Sequence, residues 1–209
     1  FIIDKQYIKA QEILEQSSNL FEFDKNLLFI QIEIYLINKN YSKATETLNK
    51  LIIIDNNSPT IYKSAKLFER YNIYKQALNQ YILLMNKNDF RDKVTKKIIA
   101  LGINQEIKDV VFDKLYSRNV KINQQQKSQI LFELYLNYNQ TDSTLHYYNQ
   151  LDNQDLIDNK GRLFFAQQLS RNAYYKKSNQ ILSNIQLDKK DYKIIGMKIM
   201  IFNYLNLDQ

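Results

Sequence analysis

The fold of this 209-residue chain is decided by three short segments, Tyr7-Ile-Lys-Ala10, Tyr41-Ser-Lys-Ala44 and Tyr74-Lys-Gln-Ala77. The interval from Tyr7 to Tyr41 is one residue longer than the interval from Tyr41 to Tyr74, and the alanines keep the same intervals. A large side chain follows each alanine by four residues: Leu14, Leu48 and Tyr81. Positions i, i+3 and i+7 share one face of a helix. The segments therefore predict a helix that recurs about every 34 residues, with a small residue where a neighbouring helix approaches closely.

A second helical pattern precedes each of the later two segments. Its apolar positions, spaced by four and three residues, are Leu28, Ile32 and Tyr35 in one copy and Ile61, Ala65 and Phe68 in the next. Residues typical of helix starts stand nearby: Asp24, Ser58-Pro59 and Asp89. The scarcity of glycine and proline, 3 and 1 in the chain, argues against a sheet, which needs such residues at its reversals. The repeating unit is thus predicted to be a pair of helices.

This helix pair resembles the tetratricopeptide repeat (TPR) family. The residues that carry the resemblance are Leu28, Ile32, Tyr35, Tyr41, Ala44 and Leu48, followed by Ile61, Ala65, Phe68, Tyr74, Ala77 and Tyr81. The second copy fits better, because Ala65 occupies the small position of the first helix of the pair. The resemblance is strong over residues 5–90 and degenerate after them. It implies an all-α fold in which antiparallel helix pairs stack into a right-handed solenoid.

Beyond residue 90 the same spacing continues with a weaker signature. We place Val110 and Leu145 at the alanine position of two further repeats, and Ser178 at that of a third, with a last helix over about 190–206. The expectation is about twelve helices and about six repeats in a single domain, 1–209. The chain begins with Phe1 rather than Met, so we expect it to be part of a longer protein.

The composition favours binding over catalysis. Without cysteine, the chain cannot form disulfides or zinc–thiolate sites. Its lone histidine, His146, lies in a predicted helix without a partner pattern for catalysis. The stretch 152–161 resembles a calcium loop only superficially, because it lacks the central glycine and closing glutamate. We expect no enzyme activity, no cofactor and no metal, and we find no apolar run long enough to span a membrane. The compartment is left open.

The remaining candidate is the surface that the TPR resemblance implies. The family grips peptides or partner helices in a concave groove lined by the first helix of each pair. The positions expected to face such a groove are Asn26, Phe29, Glu33, Tyr62, Lys66, Arg70, Lys96 and Gln167. The formal net charge of +7 favours an acidic protein or peptide as the partner.

We therefore expect a protein-interaction scaffold or adaptor. One alternative is single-stranded RNA binding by a related helical-repeat array, which also combines basic and aromatic residues. The period of the repeat is shorter than in such arrays, and no polar pair recurs from repeat to repeat, which argues against that alternative. The other alternative is a helical accessory domain of a larger enzyme or regulator, whose chemistry would lie outside this chain.

Overall fold

A computed structural model describes residues 2–17, 24–118, 120, 122–152, 157–185, 196, 200 and 201. The chain divides into two compact units, Phe1–Asn123 and Gln124–Gln209. The described residues form eleven α-helices and one 3₁₀ helix, with no β-strand among them. The all-α class is therefore confirmed. Most of the helix expected over about 190–206 lies outside the described residues.

The described residues of the first unit form seven α-helices. Their bounds are α1 Ile2–Ser17, α2 Lys25–Ile37, α3 Tyr41–Ile54, α4 Ser58–Arg70, α5 Tyr74–Leu84, α6 Arg91–Ile103 and α7 Lys108–Tyr116, with a 3₁₀ helix at Asn88–Phe90 before α6. Neighbours pack in pairs, α2 against α3, α4 against α5 and α6 against α7, and α2 also touches α4.

The second unit repeats the paired arrangement. Its helices are α8 Gln124–Asn137, α9 Thr141–Asp152, α10 Asn159–Arg171 and α11 Tyr175–Ser183. Helix α8 packs against α9, and α10 packs against α11. An aromatic cluster lies in its core, where Phe165 contacts Phe132 and Tyr148 at ring-centroid distances of 5.4 and 4.8 Å.

Four of the five turns inside the pairs share one conformation. A non-glycine residue with positive φ lies in each: Lys39 (56°), Asn72 (61°), Asn139 (54°) and Ala173 (62°). In every case the next residue donates its N–H to a carbonyl five residues earlier, at 2.8–3.0 Å. This is a hydrogen bond that closes a helix in the Schellman motif. The turn recurs with the period of the sequence repeat, and the interval from Asn72 to Asn139 spans two periods.

The second helix of each pair was predicted to bury a residue at the alanine position of the repeat, and the structure confirms this residue in three pairs and corrects it in two. Ala44 and Ala77 are fully buried, as predicted, and so is Ser178. In the other two pairs the buried residues are Val111 and Thr144, whereas the predicted Val110 and Leu145 are partly exposed.

The two corrections have different physical reasons. In α7 the buried residue is Val111 rather than Val110, because the turn between α6 and α7 is one residue longer than the turns inside the other pairs. The prediction counted a fixed interval from Tyr74 and did not include this extra residue. In α9 the buried residue is Thr144 rather than Leu145. The prediction assigned the position to an apolar side chain, whereas a hydroxyl-bearing one occupies it.

The large residue four positions later is buried in all five pairs. These residues are Leu48, Tyr81, Leu115, Tyr148 and Leu182, and they recur at almost equal intervals. Because one small and one large residue recur together on the same helix face, each pair is closed by the same kind of packing.

The helix starts are partly as predicted. Asp24 caps α2, accepting hydrogen bonds from the N–H groups of Asn26 and Leu27 at 2.8 and 3.1 Å. Helix α4 is capped by Asn57 rather than by the predicted Ser58, with proline in its first turn. Asp89 does not cap α6, because it lies inside the 3₁₀ helix and α6 begins two residues later.

Candidate functional site

The first unit carries a surface groove of about 670 Å³ between α2, α4 and the start of α6, which we call the α2–α4 groove. The side chains on α2 and α4 come from positions spaced mostly by three or four residues, so each helix presents one face to it. The lining residues are Asn26, Phe29, Ile30, Glu33, Pro59, Tyr62, Lys63, Lys66, Leu67, Arg70, Phe90 and Lys93.

Six of the eight residues predicted for the groove line it. They are Asn26, Phe29 and Glu33 on α2, and Tyr62, Lys66 and Arg70 on α4. Lys96 is exposed on α6 but does not line this groove, and Gln167 is a partly exposed residue of α10 in the second unit.

The structure adds six lining residues that the sequence prediction missed. Three of them carry a charge or an aromatic ring, Lys63, Phe90 and Lys93, and the others are Ile30, Pro59 and Leu67. Lys63 could have been predicted from the repeat. It lies one period after Ile30, which also lines the groove, and one period before the predicted Lys96. No comparable signal existed for Phe90 and Lys93. Phe90 ends the 3₁₀ helix and Lys93 lies in the first turn of α6, so the connection between α5 and α6 places them rather than the periodicity of one helix.

One part of the groove is aromatic. The Tyr62 ring lies 5.2 Å from the Phe90 ring and 5.9 Å from the buried Tyr81 ring, measured between centroids. Lys63 places its ammonium nitrogen 4.1 Å from the centroid of Phe29, and Lys93 lies 5.4 Å from that of Phe90. Cations at these distances are attracted to the ring faces. The aromatic rings are thus partly covered by lysines of the groove itself.

The other part of the groove is an ion-paired cluster. The Arg70 Nη1 atom lies 3.2 Å from Oε1 of Glu33, and the Tyr71 hydroxyl donates to the same oxygen at 3.4 Å. Burial raises the pKa of Tyr71, and the nearby negative charge of Glu33 raises it further. Both effects favour the neutral hydroxyl, so Tyr71 remains a hydrogen-bond donor at neutral pH.

The groove carries a positive charge. Four of its lining residues are cationic, Lys63, Lys66, Arg70 and Lys93, and one is anionic, Glu33, which leaves a formal charge of +3. Lys66 is exposed and forms no ion pair with any residue that the structure describes. A concave surface of one sign concentrates ligands of the opposite sign.

A second polar cluster holds the helices behind the groove. Glu69 on α4 accepts a hydrogen bond from the Tyr81 hydroxyl of α5 through one oxygen and pairs with Lys97 of α6 at 2.8 Å through the other. Burial, together with Glu69, raises the pKa of Tyr81. Because Glu69 links three helices, it fixes the spacing of the elements that carry Tyr62 and Lys93.

The residues considered for chemistry have other partners. His146 is exposed, with its Nε2 atom 2.9 Å from the Gln150 amide. In the calcium-like stretch, Asp152 pairs with Arg162 at 2.8 Å and Asp158 caps α10 through the Gly161 N–H, while residues 153–156 lie outside the described part. Among the residues that the structure describes, no cluster of three or more His, Cys, Asp or Glu side chains could hold a metal ion.

Across the described ranges, none of the helices combines the length and the apolar character that crossing a bilayer requires. No protein-family model matches the chain, and no curated protein matches it either.

Proposed function

We propose that this chain is a non-catalytic interaction module that binds an acidic segment of a partner protein in the α2–α4 groove. The observation that carries the proposal is the groove itself, which joins three aromatic rings to a formal charge of +3. Aromatic and arginine side chains supply much of the binding energy in protein interfaces. Surrounding lysines would attract a ligand of opposite charge and orient it.

We also propose that the helix pairs belong to the TPR family and stack into a right-handed solenoid. The support is the recurrence of the positive-φ turn with the period of the sequence repeat, and of the small and large buried residues in five successive pairs. In such a stack the first helices of the pairs line one surface, which agrees with the contribution of α2 and α4 to the groove.

A peptide fits this groove better than single-stranded RNA. RNA-binding surfaces of this kind offer exposed aromatic faces on which bases stack. Here the face of Phe29 lies under the Lys63 ammonium group, and Tyr62 is already in contact with Phe90 and Tyr81, so bases find few open ring faces to stack on. An apolar peptide side chain needs only the parts of these rings that line the groove.

Charge reversal inside the groove tests the proposed function. The probe is a fluorescein-labelled peptide in which glutamates flank a single phenylalanine, and binding is followed by fluorescence anisotropy. We expect the double variant Lys66→Glu/Arg70→Glu to bind it about tenfold more weakly or worse, the effect of a typical hot spot. Folding should be unaffected, because exposed charges contribute little to stability.

The matched control is Lys75→Glu/Lys87→Glu, which changes the net charge equally at exposed residues outside the groove. It should retain most of the affinity. Equal losses in both double variants would mean that only overall charge matters, and an unchanged affinity in the groove variant would place the binding surface elsewhere. A mobility-shift assay with oligouridylate at several salt concentrations tests the RNA alternative.

A further inference from the structure

We propose that Glu33 is an internal competitor for the acidic ligand, occupying the carboxylate-binding end of the α2–α4 groove until the ligand displaces it. This inference rests on the proposed function. In this inference Arg70 and Tyr71 donate hydrogen bonds to a carboxylate of the ligand. Glu33 sets the affinity and the selectivity of the groove for that ligand.

The geometry of Glu33 is that of a bound carboxylate. Two donors, the Arg70 guanidinium and the Tyr71 hydroxyl, converge on a single oxygen of Glu33. Both donors come from the end of α4, whereas Glu33 comes from α2, so the contact reaches across the groove. A glutamate or aspartate of a ligand lying in the groove would find the same two donors. Ligand and Glu33 cannot both use them fully.

The contact is open enough to exchange. The Glu33 side chain is 42% exposed and that of Arg70 is 69% exposed. Ion pairs with this exposure are weak, because water competes for both partners. Glu33 can therefore leave Arg70 at little cost, and its effect on ligand affinity should be modest rather than prohibitive.

Glu33 also explains how a cationic groove avoids binding every anion. Lys63 and Lys93 lie over aromatic rings, and Arg70 is paired with Glu33, so three of the four groove cations already have an internal partner. A ligand must offer a carboxylate in register with Arg70 and also occupy the rest of the groove. Isolated anions gain little from such a surface, whereas an acidic peptide with an apolar anchor gains from both parts.

A double-mutant cycle tests the competition, with the same glutamate–phenylalanine peptide as the probe. The variants are Glu33→Gln, Arg70→Gln and the combination of both. We expect Glu33→Gln to bind the probe about two- to fivefold more tightly than the wild type, the range that follows from a weak exposed ion pair. In the Arg70→Gln background the gain should shrink to less than half, because the residue for which Glu33 competes is gone.

The control is Glu46→Gln, which removes an exposed, ion-paired glutamate from α3, outside the groove. It should change the affinity far less than Glu33→Gln does. If Glu46→Gln gives an equal gain, or if the gain from Glu33→Gln persists in full without Arg70, the effect is overall charge and the inference is wrong. Unchanged or weaker binding by Glu33→Gln also overturns it.

The same experiment separates this inference from the function on which it rests. If the wild type binds the probe and Glu33→Gln binds it no more tightly, the competition by Glu33 is refuted but the proposed binding of an acidic peptide is not. Failure of both proteins to bind the probe removes the proposed function and the inference with it. Binding by Glu33→Gln alone supports both, with Glu33 as a stronger competitor than its exposure indicates.

Discussion

The two units bury different residues at the alanine position of their helix pairs. In the first unit the helix pairs α2–α3 and α4–α5 close on Ala44 and Ala77, whereas in the second unit the equivalent residues are Thr144 and Ser178. The hydroxyls of these two residues are not left unpaired. Thr144 donates to the Gln140 carbonyl at 2.8 Å, and Ser178 donates to the carbonyl of Ala166 on the facing helix at 2.7 Å.

This difference shows that the position accepts a small hydroxyl-bearing side chain as well as alanine. A buried hydroxyl is tolerated where a backbone carbonyl accepts its proton, because the cost of burying an unpaired polar group is then avoided. A family signature written around alanine loses strength at such positions although the packing persists. The sequence resemblance to TPR repeats is accordingly weaker at Thr144 and Ser178, although both residues are buried.

The largest effect should come from adding bulk at the small position of the first unit. Ala77→Leu forces new atoms into a fully buried site and should lower the free energy of unfolding by about 1–3 kcal/mol. Urea denaturation followed by far-UV circular dichroism measures the loss. Ala77→Ser is the matched control and should cost clearly less, because its hydroxyl can bond to the Ile73 carbonyl as Thr144 does to that of Gln140. An unchanged midpoint for Ala77→Leu would refute the packing comparison.

A second contrast concerns the tyrosines at equivalent positions, Tyr81 and Tyr148. The hydroxyl of Tyr81 donates to the Glu69 carboxylate, so Tyr81→Phe should cost about 1.5 kcal/mol. The hydroxyl of Tyr148 lies close to Asp152 and Arg162 but makes no hydrogen bond of normal geometry to a described residue. Tyr148→Phe should therefore cost less, and equal costs in urea denaturation would contradict the assignment of these contacts.

The same tyrosines predict a loss of stability at high pH. Burial raises the pKa of Tyr148 to about 12 and also raises that of Tyr81 above the ordinary value of 10. A raised pKa means that the neutral phenol is favoured by folding, so this stability is fully present below pH 10 and is lost as the pH rises further. Denaturation at several alkaline pH values should show a shallower decline for either Phe variant than for the wild type. Parallel declines would exclude the effect.

Removing the hydroxyl of Ser178 should have a smaller effect. Ser178→Ala keeps the small volume and loses one hydrogen bond between helices, which is worth about 1 kcal/mol. The measurement is again urea denaturation, with Ser183→Ala as the control, since the Ser183 hydroxyl bonds only within its own exposed helix end. A gain in stability from Ser178→Ala would show that alanine is the better residue in both units.

The smallest effect should be a gain at the turns. Ala173 and Asn72 adopt the same positive φ, but alanine is disfavoured in this conformation more than asparagine is. Ala173→Gly should therefore raise the free energy of unfolding by about 0.5–1 kcal/mol, whereas Asn72→Gly should change it by only a few tenths. Thermal unfolding of the two variants side by side checks the difference, and equal shifts would contradict it.

Much of the site was predictable because it follows from helix periodicity. Tyr62, Lys66 and Arg70 are spaced by four, so they share a helix face before any tertiary contact is known. Lys93 was missed because its place depends on the path of the 3₁₀ helix. Val111 was missed because the turn between α6 and α7 is longer than those of the earlier pairs, and turn length is set by how the helices meet.

The sequence by itself determined that this chain forms helix pairs with a nearly constant period. It also determined that Ala44 and Ala77 are buried where two helices of the first unit meet. These properties are local, since they depend on side-chain spacing along a helix and on turn-forming residues. Only the tertiary structure decided which charges meet. Arg70 pairs with Glu33 of another helix, while Lys66 on the same face is left without a described partner. Such pairings depend on the distance between two helices, which packing sets and one-dimensional spacing does not contain.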